Sequence, residues 1–245
     1  MKLSAPVYQL KSKAKKRKKQ EGLSLNEALN LVAQEEGFNT WSLLMAKSEA
    51  FRPKSRKEIL GYLNPGDLVL IAARPFQGKT VLTLEVLLQA VREHRSCYFF
   101  TLEYTHRAVM TKLCELDESF ELNDSSLKLD FSDDISAEYI INQTQDSIQD
   151  NSLIAVDYLQ LLDQKRKHPE LQIQIEHLKE YAKKKTCILL FISQVNRAFE
   201  ADEKTVPGIE DIHLPNPLDL RLFNKILFLH QGNVHFAKPA VFGLE

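Results

Sequence analysis

Residues 78–80, Gly-Lys-Thr, place a glycine, a cation and a hydroxyl side by side, a combination suited to binding phosphate. The apolar run from Leu68 to Ala73 precedes them, and an apolar helical pattern from Val81 to Val91 follows. In a strand–loop–helix unit, loop N–H groups converge on a phosphate at the helix N-terminus, where the helix dipole favours an anion. A bare Gly-Lys-Thr can also begin a helix without a ligand, but the flanking elements favour a phosphate-binding loop, or P-loop.

Each residue of this P-loop has a predicted role. Gly78 lets the backbone approach the ligand, Lys79 places its ammonium between the β- and γ-phosphates, and the Thr80 hydroxyl is a magnesium ligand. The general pattern G-x-x-x-x-G-K-[ST] has a glycine where this chain has Ala73. We predict ATP and Mg²⁺ as cofactors, with nucleotide contacts from Ala73, Arg74, Pro75, Phe76, Gln77, Gly78, Lys79 and Thr80.

Polar side chains follow three further apolar segments. Glu103 ends the segment that begins at Cys97, Asp157 ends the next, and Gln194 ends the last. Each alone is more typical of a turn or cap, but together with the P-loop they predict one catalytic edge. Asp157 would hold magnesium, Glu103 would polarise the attacking water, and Gln194 would contact the γ-phosphate.

The alternation of apolar segments and helical patterns predicts an α/β fold over residues 58–245. Strands are expected at 68–73, 97–102, 153–157, 187–193 and 225–230, and helices at 79–93, 105–118, 136–148 and 170–184. Strands that are apolar throughout and separated by helices indicate a mainly parallel sheet covered by helices on both faces. Ligands then bind at the carboxyl ends of the strands.

A separate helical module is predicted over residues 1–50, followed by a linker at 51–57. The pattern of residues 5–20 is helical, and Ser24 and Glu27 form a capping box for a second helix that ends near Gly37. Thr40 is placed to cap a third short helix.

Charge is distributed unevenly along the chain. Residues 1–57 hold 13 Lys and Arg against 5 Asp and Glu, whereas the remaining residues hold 19 against 28. A basic arm on an acidic body is typical of attachment to a polyanion, although a solvated helix, a nuclear-localisation signal or, less well, a transit peptide also fits. The predicted nucleic-acid contacts in the arm are Lys11, Lys13, Lys15, Lys16, Arg17, Lys18 and Lys19.

The cysteines and the apolar runs indicate a cytoplasmic protein. Cys97, Cys114 and Cys187 are odd in number and lack metal-ligand spacing, so we interpret them as reduced thiols. No apolar run reaches the ~18 residues of a membrane span, and the N-terminus has no apolar signal core.

The motifs together resemble those of the DnaB-type replicative helicases, which are RecA-like P-loop ATPases. The resemblance covers roughly residues 60–200. It rests on Pro65–Thr80, Leu102-Glu103, Leu153–Leu162, Leu178–Lys183 and Ile192–Glu200. That family also carries alanine at the position of Ala73. The resemblance implies a RecA-like fold, ATP hydrolysis, single-stranded DNA as partner and a homo-oligomer, in the family a hexamer.

Departures from the family pattern concern the hydrolysis rate. The span from Glu103 to Asp157 is short for the family, and Ala240 stands where the family's C-terminal Lys-x-Arg pair, here begun by Lys238, has its arginine. An arginine finger of this kind is worth about 10³–10⁵ in rate in other NTPases. Arg197 or Arg221 could substitute for it.

Two loops extend the family comparison. Lys165, Arg166 and Lys167 form a basic loop that the resemblance places toward DNA, although such loops are often only solvated surface. The loop at 199–224 is long for a compact domain, which is typical of functional or mobile segments.

Three functions are compatible with these residues. One is a DnaB-like ATPase that acts on DNA, the second is a RecA-like ATP-binding regulator that does not translocate, and the third is a binding module with a vestigial site. Intact Lys79, Thr80, Glu103 and Asp157 argue against the third, while Ala240 and the acidic body support the second. We favour the first, with reduced hydrolysis.

Overall fold

The computed structural model describes residues 7–50, 56–120, 126–163, 168–196, 206–214 and 216–237. Its strands are β1 (Leu68–Ala73), β2 (Cys97–Thr101), β3 (Leu127–Asp130), β4 (Leu153–Asp157), β5 (Ile188–Gln194), β6 (Lys225–His230) and β7 (Asn233–Phe236). Its α-helices are α1 (Val7–Glu21), α2 (Leu25–Glu35), α3 (Trp41–Ala50), α4 (Ile59–Tyr62), α5 (Lys79–Arg92), α6 (His106–Leu116), α7 (Ala137–Thr144) and α8 (Leu171–Lys184).

The seven strands form one sheet in the order β3-β2-β4-β5-β1-β6-β7. All neighbouring pairs are parallel except β6 and β7, which are antiparallel. The order places β2, β4, β5 and β1 side by side, so the carboxyl ends of these four strands meet along one continuous stretch of the sheet edge.

Helices cover both faces of the sheet, and the central strands are accordingly apolar on both sides. Along β1, Leu68, Leu70 and Ala72 pack into a core with α7 and α8. The alternate residues Val69 and Ile71 pack into a second core with α4, α5 and α6. A strand with both faces buried has this period-two division and lacks the polar alternation of a solvent-facing strand.

The chain divides into two compact units, one containing Met1–Arg52 and the other spanning Pro53–Ala237. In the first unit, Leu10 and Ala14 of α1 are buried with Val32, Phe38 and Leu44. The Ser24 hydroxyl accepts from the Glu27 N–H, and the Glu27 carboxylate accepts from the Ser24 N–H, which is the predicted capping box. The Thr40 hydroxyl accepts from the N–H of Leu43 at the start of α3.

The structure adds two strands that the sequence pattern did not predict, both at sheet edges. β3 is four residues long and alternates with polar Lys128 and Asp130, which is too short for a periodicity to emerge. β7 follows β6 through a turn at Gln231 and Gly232, both with positive φ, a geometry that suits a tight hairpin.

The predicted helix at 136–148 is shorter than expected. It begins after Ser136, whose hydroxyl accepts from the Tyr139 N–H, and it ends at Thr144. The Thr144 hydroxyl donates to the Ile140 carbonyl at 2.8 Å. It also lies within hydrogen-bond distance of the Tyr181 hydroxyl, at 2.8 Å. A hydroxyl that bonds within the last turn competes with the backbone ladder, which favours an end there.

Candidate nucleotide site

The predicted catalytic residues follow four neighbouring strands. Glu103 comes two residues after β2, Asp157 ends β4, Gln194 ends β5, and the P-loop follows β1. In the register, Thr101 lies opposite Asp157, and Ala73 lies opposite Gln194. Since adjacent strands are about 4.8 Å apart, the four positions span roughly 14 Å. The sheet therefore brings these residues together at one edge.

The P-loop turns sharply into α5. Gly78 precedes the helix with φ 84° and ψ 28°, a left-handed conformation that L-residues with a Cβ rarely adopt. Phe76 also has positive φ, at 63°, and its side chain is fully exposed. The N–H groups of the first helical turn have no carbonyl partner within the helix, so they are available to an anion at this point.

Thr80 and Asp157 meet at the base of the P-loop. The Thr80 hydroxyl donates to Asp157 Oδ2 at 2.8 Å, and both residues are buried. Neighbouring ligands of an octahedral Mg²⁺ with bonds of 2.0–2.1 Å are about 2.9 Å apart, so these two oxygens have a suitable separation. Within the described residues no group of three or more His, Cys, Asp or Glu could hold a metal. Mg²⁺ usually takes one or two protein oxygens and completes its shell with phosphate and water, and Thr80 and Asp157 offer two such oxygens.

Burial shifts the pKa values of both Asp157 and Lys79. The pKa of Asp157 is raised to about 6, chiefly by burial and also by the Glu103 carboxylate, while the Thr80 hydrogen bond and Lys79 oppose the shift. Burial also lowers the pKa of Lys79, and Asp157 and Glu103 oppose that change. A cation bound at Asp157 would favour its ionised form, and a phosphate bound at Lys79 would favour the ammonium.

The backbone of Glu103 and the side chain of Lys79 each make one hydrogen bond to a neighbouring residue. The Glu103 N–H donates to the Thr101 hydroxyl at 3.1 Å, and the Glu103 side chain is exposed. The Lys79 ammonium donates to the Arg74 carbonyl at 3.2 Å, within the loop. The Glu103 carboxylate is thus exposed, and it lies near enough to Lys79 to act on the pKa of that lysine.

Sequence reasoning missed a set of contacts that joins the segment after β5 to the P-loop and to β4. The Val195 carbonyl accepts from the Arg74 guanidinium at 3.4 Å. Gln160, in the 3-10 helix Leu159–Asp163 after β4, donates to the His213 carbonyl at 2.8 Å. Glutamine within an apolar run was the only signal that the sequence offered for this contact.

The same segment closes on itself. The Asn196 N–H donates to the Asp211 carbonyl and the His213 N–H donates to the Gln194 carbonyl, both at 2.7 Å. The Asn196 side-chain oxygen lies 2.8 Å from His213 Nδ1, and Val195 pairs with Ile212 in an antiparallel bridge. Residues 194–196 and 211–213 therefore form a two-stranded base, which we call the post-β5 clamp.

Several predicted residues lie outside the described part of the chain: Lys165, Arg166, Lys167, Arg197, Lys238 and Ala240. Arg221, considered as a substitute finger, forms an ion pair with Asp219 at 2.7 Å. The Arg221 hydrogen bond lowers the pKa of Asp219. In the basic arm, Lys13 and Arg17 pair with acidic side chains of their own unit.

Comparison with known proteins places this chain in a family. The family model described as DnaB-like helicase C terminal domain matches residues 57–134 and 118–216, which is more than half of the chain. The chain belongs to this family. The expected membership is confirmed, and so is the RecA-like α/β fold of the DnaB-like domain.

Individual relatives of this DnaB-like chain are distant. The replicative DNA helicase DnaB of Helicobacter pylori is 26% identical over 202 residues, covering 70% of this chain and 41% of that protein. A probable replicative DNA helicase of Guillardia theta is 26% identical over 212 residues, covering 74% and 35%. The chain thus spans about two-fifths of the length of these relatives.

Solved structures share the fold of the DnaB-like domain. One of them, described as an ATPase domain, has a TM-score of 0.55 at 19% identity, covering 78% of this chain and 82% of that one. A DnaB-like replicative helicase studied with primase has a TM-score of 0.57 at 17% identity, covering 89% and 64%. No helix in the described residues is long and apolar enough to cross a membrane.

Proposed function

We propose that this protein is an Mg²⁺-dependent ATPase of DnaB type that acts on single-stranded DNA, with hydrolysis slower than in hexameric helicases. The observation that supports it best is the meeting of the P-loop, Glu103, Asp157 and Gln194 at four neighbouring strand ends. Family membership supports an ATPase of helicase type, and the site supplies the residues that such chemistry needs.

Each side chain has a task that its position supports. The loop N–H groups and Lys79 hold the β- and γ-phosphates, and Thr80 and Asp157 hold Mg²⁺, which neutralises charge on the phosphate oxygens when bound. Glu103 accepts the proton of the attacking water. The Gln194 side chain contacts the γ-phosphate. Because the Gln194 carbonyl accepts a hydrogen bond from the His213 N–H, this contact connects the phosphate to the rest of the post-β5 clamp.

A second function is favoured by one sequence observation. Ala240 stands in place of the arginine that reaches the neighbouring nucleotide in the family. An ATP-binding regulator that does not translocate would have no need of that arginine.

The test measures ATP turnover with and without oligothymidylate, alongside the mass of the assembly in solution. The expected result is slow turnover that DNA stimulates, in an oligomer. Lys79→Ala should abolish ATP binding, while the matched control Lys184→Ala, an exposed lysine at the end of α8, should not. Equal ATP affinity of Lys79→Ala and the parent would refute the site, and an unstimulated monomer would support the regulator.

A further inference from the structure

The basic helix α1 divides its cations into two groups. Lys13 pairs with Glu35 at 2.7 Å, and Arg17 pairs with Glu35 at 2.5 Å and with Glu21 at 2.8 Å. These contacts lower the pKa of Glu35, chiefly through Lys13, and raise the pKa of Arg17. Two of the seven cations in the arm therefore form ion pairs between α1 and Glu35 of α2.

The second group of cations on α1 consists of five lysines. Within the described residues no acidic side chain lies at ion-pair distance from Lys11, Lys15, Lys16, Lys18 or Lys19. The acidic residues nearest in sequence are already engaged, since Glu21 and Glu35 pair with α1 and Glu27 caps α2. Among the described residues of the unit, the charge on these five lysines is thus left without compensation.

Four of these lysines form one stripe. Lys11, Lys15, Lys18 and Lys19 stand at i, i+4, i+7 and i+8 of a continuous helix, which places them along one flank. With a rise of 1.5 Å per residue, the stripe is about 12 Å long and its i, i+4 steps are about 6 Å. We call these four residues the lysine stripe.

The residue types on α1 indicate which class of ligand the lysine stripe would bind. A helix that binds a membrane surface needs an apolar face, but Leu10 and Ala14, the described apolar residues of α1, are buried in the unit's own core. The exposed leucines Leu25 and Leu43 lie on other helices. Lysine is a point charge that contacts phosphate without reading bases.

We propose that the α1–α2 hairpin is a sequence-independent nucleic-acid module, in which the lysine stripe contacts successive backbone phosphates while Lys13 and Arg17 maintain the hairpin. The inference deepens the proposed function by naming a polynucleotide-binding surface. It rests on that function only for the choice of DNA as the probe.

The experiment measures anisotropy of fluorescein-labelled oligothymidylate across a potassium chloride series, using the full chain. Lys15→Gln/Lys19→Gln should weaken binding and make the slope of log K against log salt shallower by about 1.4, since each lost contact on a single strand contributes about 0.7. Lys15→Arg/Lys19→Arg should restore the slope. Lys183→Gln/Lys184→Gln removes the same charge from exposed positions on α8 and should leave the slope unchanged.

Several outcomes would overturn the inference. An unchanged slope in the stripe variant would do so, as would an equal change in the α8 control, because the effect would then be one of total charge. Binding to phosphatidylserine vesicles that depends on the stripe, without binding to DNA, would assign the surface to lipid. Circular dichroism and ATP turnover without DNA should match the parent. If the parent binds DNA through the stripe but hydrolyses no ATP, the proposed function fails and this inference stands.

Discussion

At the scale of single residues, the buried position that Asp157 needs for its proposed role also lowers the stability of the folded protein at neutral pH. Its carboxylate is 3% exposed, and burial is the main reason that its pKa lies near 6. A carboxyl with a raised pKa binds more protons in the folded state than in the unfolded state between about pH 4 and pH 6. Its contribution to stability therefore falls as pH rises through that window, and above it the full destabilisation is present.

We predict that Asp157→Asn stabilises the protein at pH 7.5 and removes Mg²⁺-dependent nucleotide binding. The gain should be at most about 3 kcal/mol, since one pKa unit corresponds to about 1.4 kcal/mol, and it should nearly vanish at pH 4. Thermal unfolding without Mg²⁺ or nucleotide measures the effect at both pH values. Asp146→Asn, at an exposed site, is the control, and an equal gain at both pH values would contradict the assignment.

Glu103 differs from Asp157 in being exposed. Glu103→Gln should preserve ATP binding and reduce turnover by roughly 10²-fold or more, because an amide cannot accept the proton of the attacking water. Phosphate release at saturating ATP and nucleotide affinity together separate the two effects. Glu115→Gln, an exposed glutamate on α6, should behave as the parent. Parental turnover in Glu103→Gln would move the role of base to another residue.

At the scale of elements, the post-β5 clamp connects three parts of the site. It begins at Gln194, at the end of β5. Its Val195 carbonyl accepts a hydrogen bond from the Arg74 guanidinium, and its His213 carbonyl accepts one from the Gln160 side chain. A displacement of Gln194 would reach Asp211 and His213 through the backbone hydrogen bonds of the clamp. The clamp combines these hydrogen bonds with the buried side chains of Val195 and Ile212, which belong to the core.

We predict that Gln160→Ala weakens the stimulation of ATP turnover by DNA by roughly 2- to 30-fold, the range that coupling energies of 0.5–2 kcal/mol produce. ATP affinity and unstimulated turnover should stay near parental values, because Gln160 contacts neither Lys79 nor Asp157. Gln143→Ala, on the exposed side of α7, provides the matched control. Equal stimulation in the parent and Gln160→Ala would show that the clamp does not carry the signal.

At the scale of the whole molecule, a basic unit precedes an acidic unit with the DnaB-like fold. Because like charges repel, the acidic body disfavours DNA everywhere except at local basic positions. Attachment and hydrolysis would then be carried by different units, each with its own core.

If the proposed function holds, the turnover of the protein should be limited by the lack of an arginine at position 240. With Ala240 in place of the finger, we expect steady-state hydrolysis well below the tens per second that phosphoryl-transfer enzymes reach, with or without oligothymidylate. Phosphate release at saturating ATP and Mg²⁺, measured across protein concentrations, checks this prediction. A rate of tens per second would show that another cation completes the site.

The sequence by itself determined the fold class and the candidate catalytic residues. The long apolar strands β1, β4 and β6 were predicted with the bounds that the structure gives, because burial on both faces leaves an uninterrupted apolar run. The P-loop residues and Asp157 stay predictions, made because phosphate and magnesium chemistry restricts which residue types can stand at such positions. The capping box at Ser24 and Glu27 was equally local, and it is present.

Only the tertiary structure decided what depends on contacts between distant segments. The order of the strands sets Glu103, Asp157 and Gln194 beside the P-loop, and periodicity contains no information on which strands are neighbours. The short edge strands β3 and β7 gain their definition from pairing with β2 and β6. The division of the basic arm into paired and unpaired cations required α2 to present Glu35 to Lys13 and Arg17. The physical reason is common to all three, since hydrogen bonds and ion pairs between remote residues leave no regular spacing in the sequence.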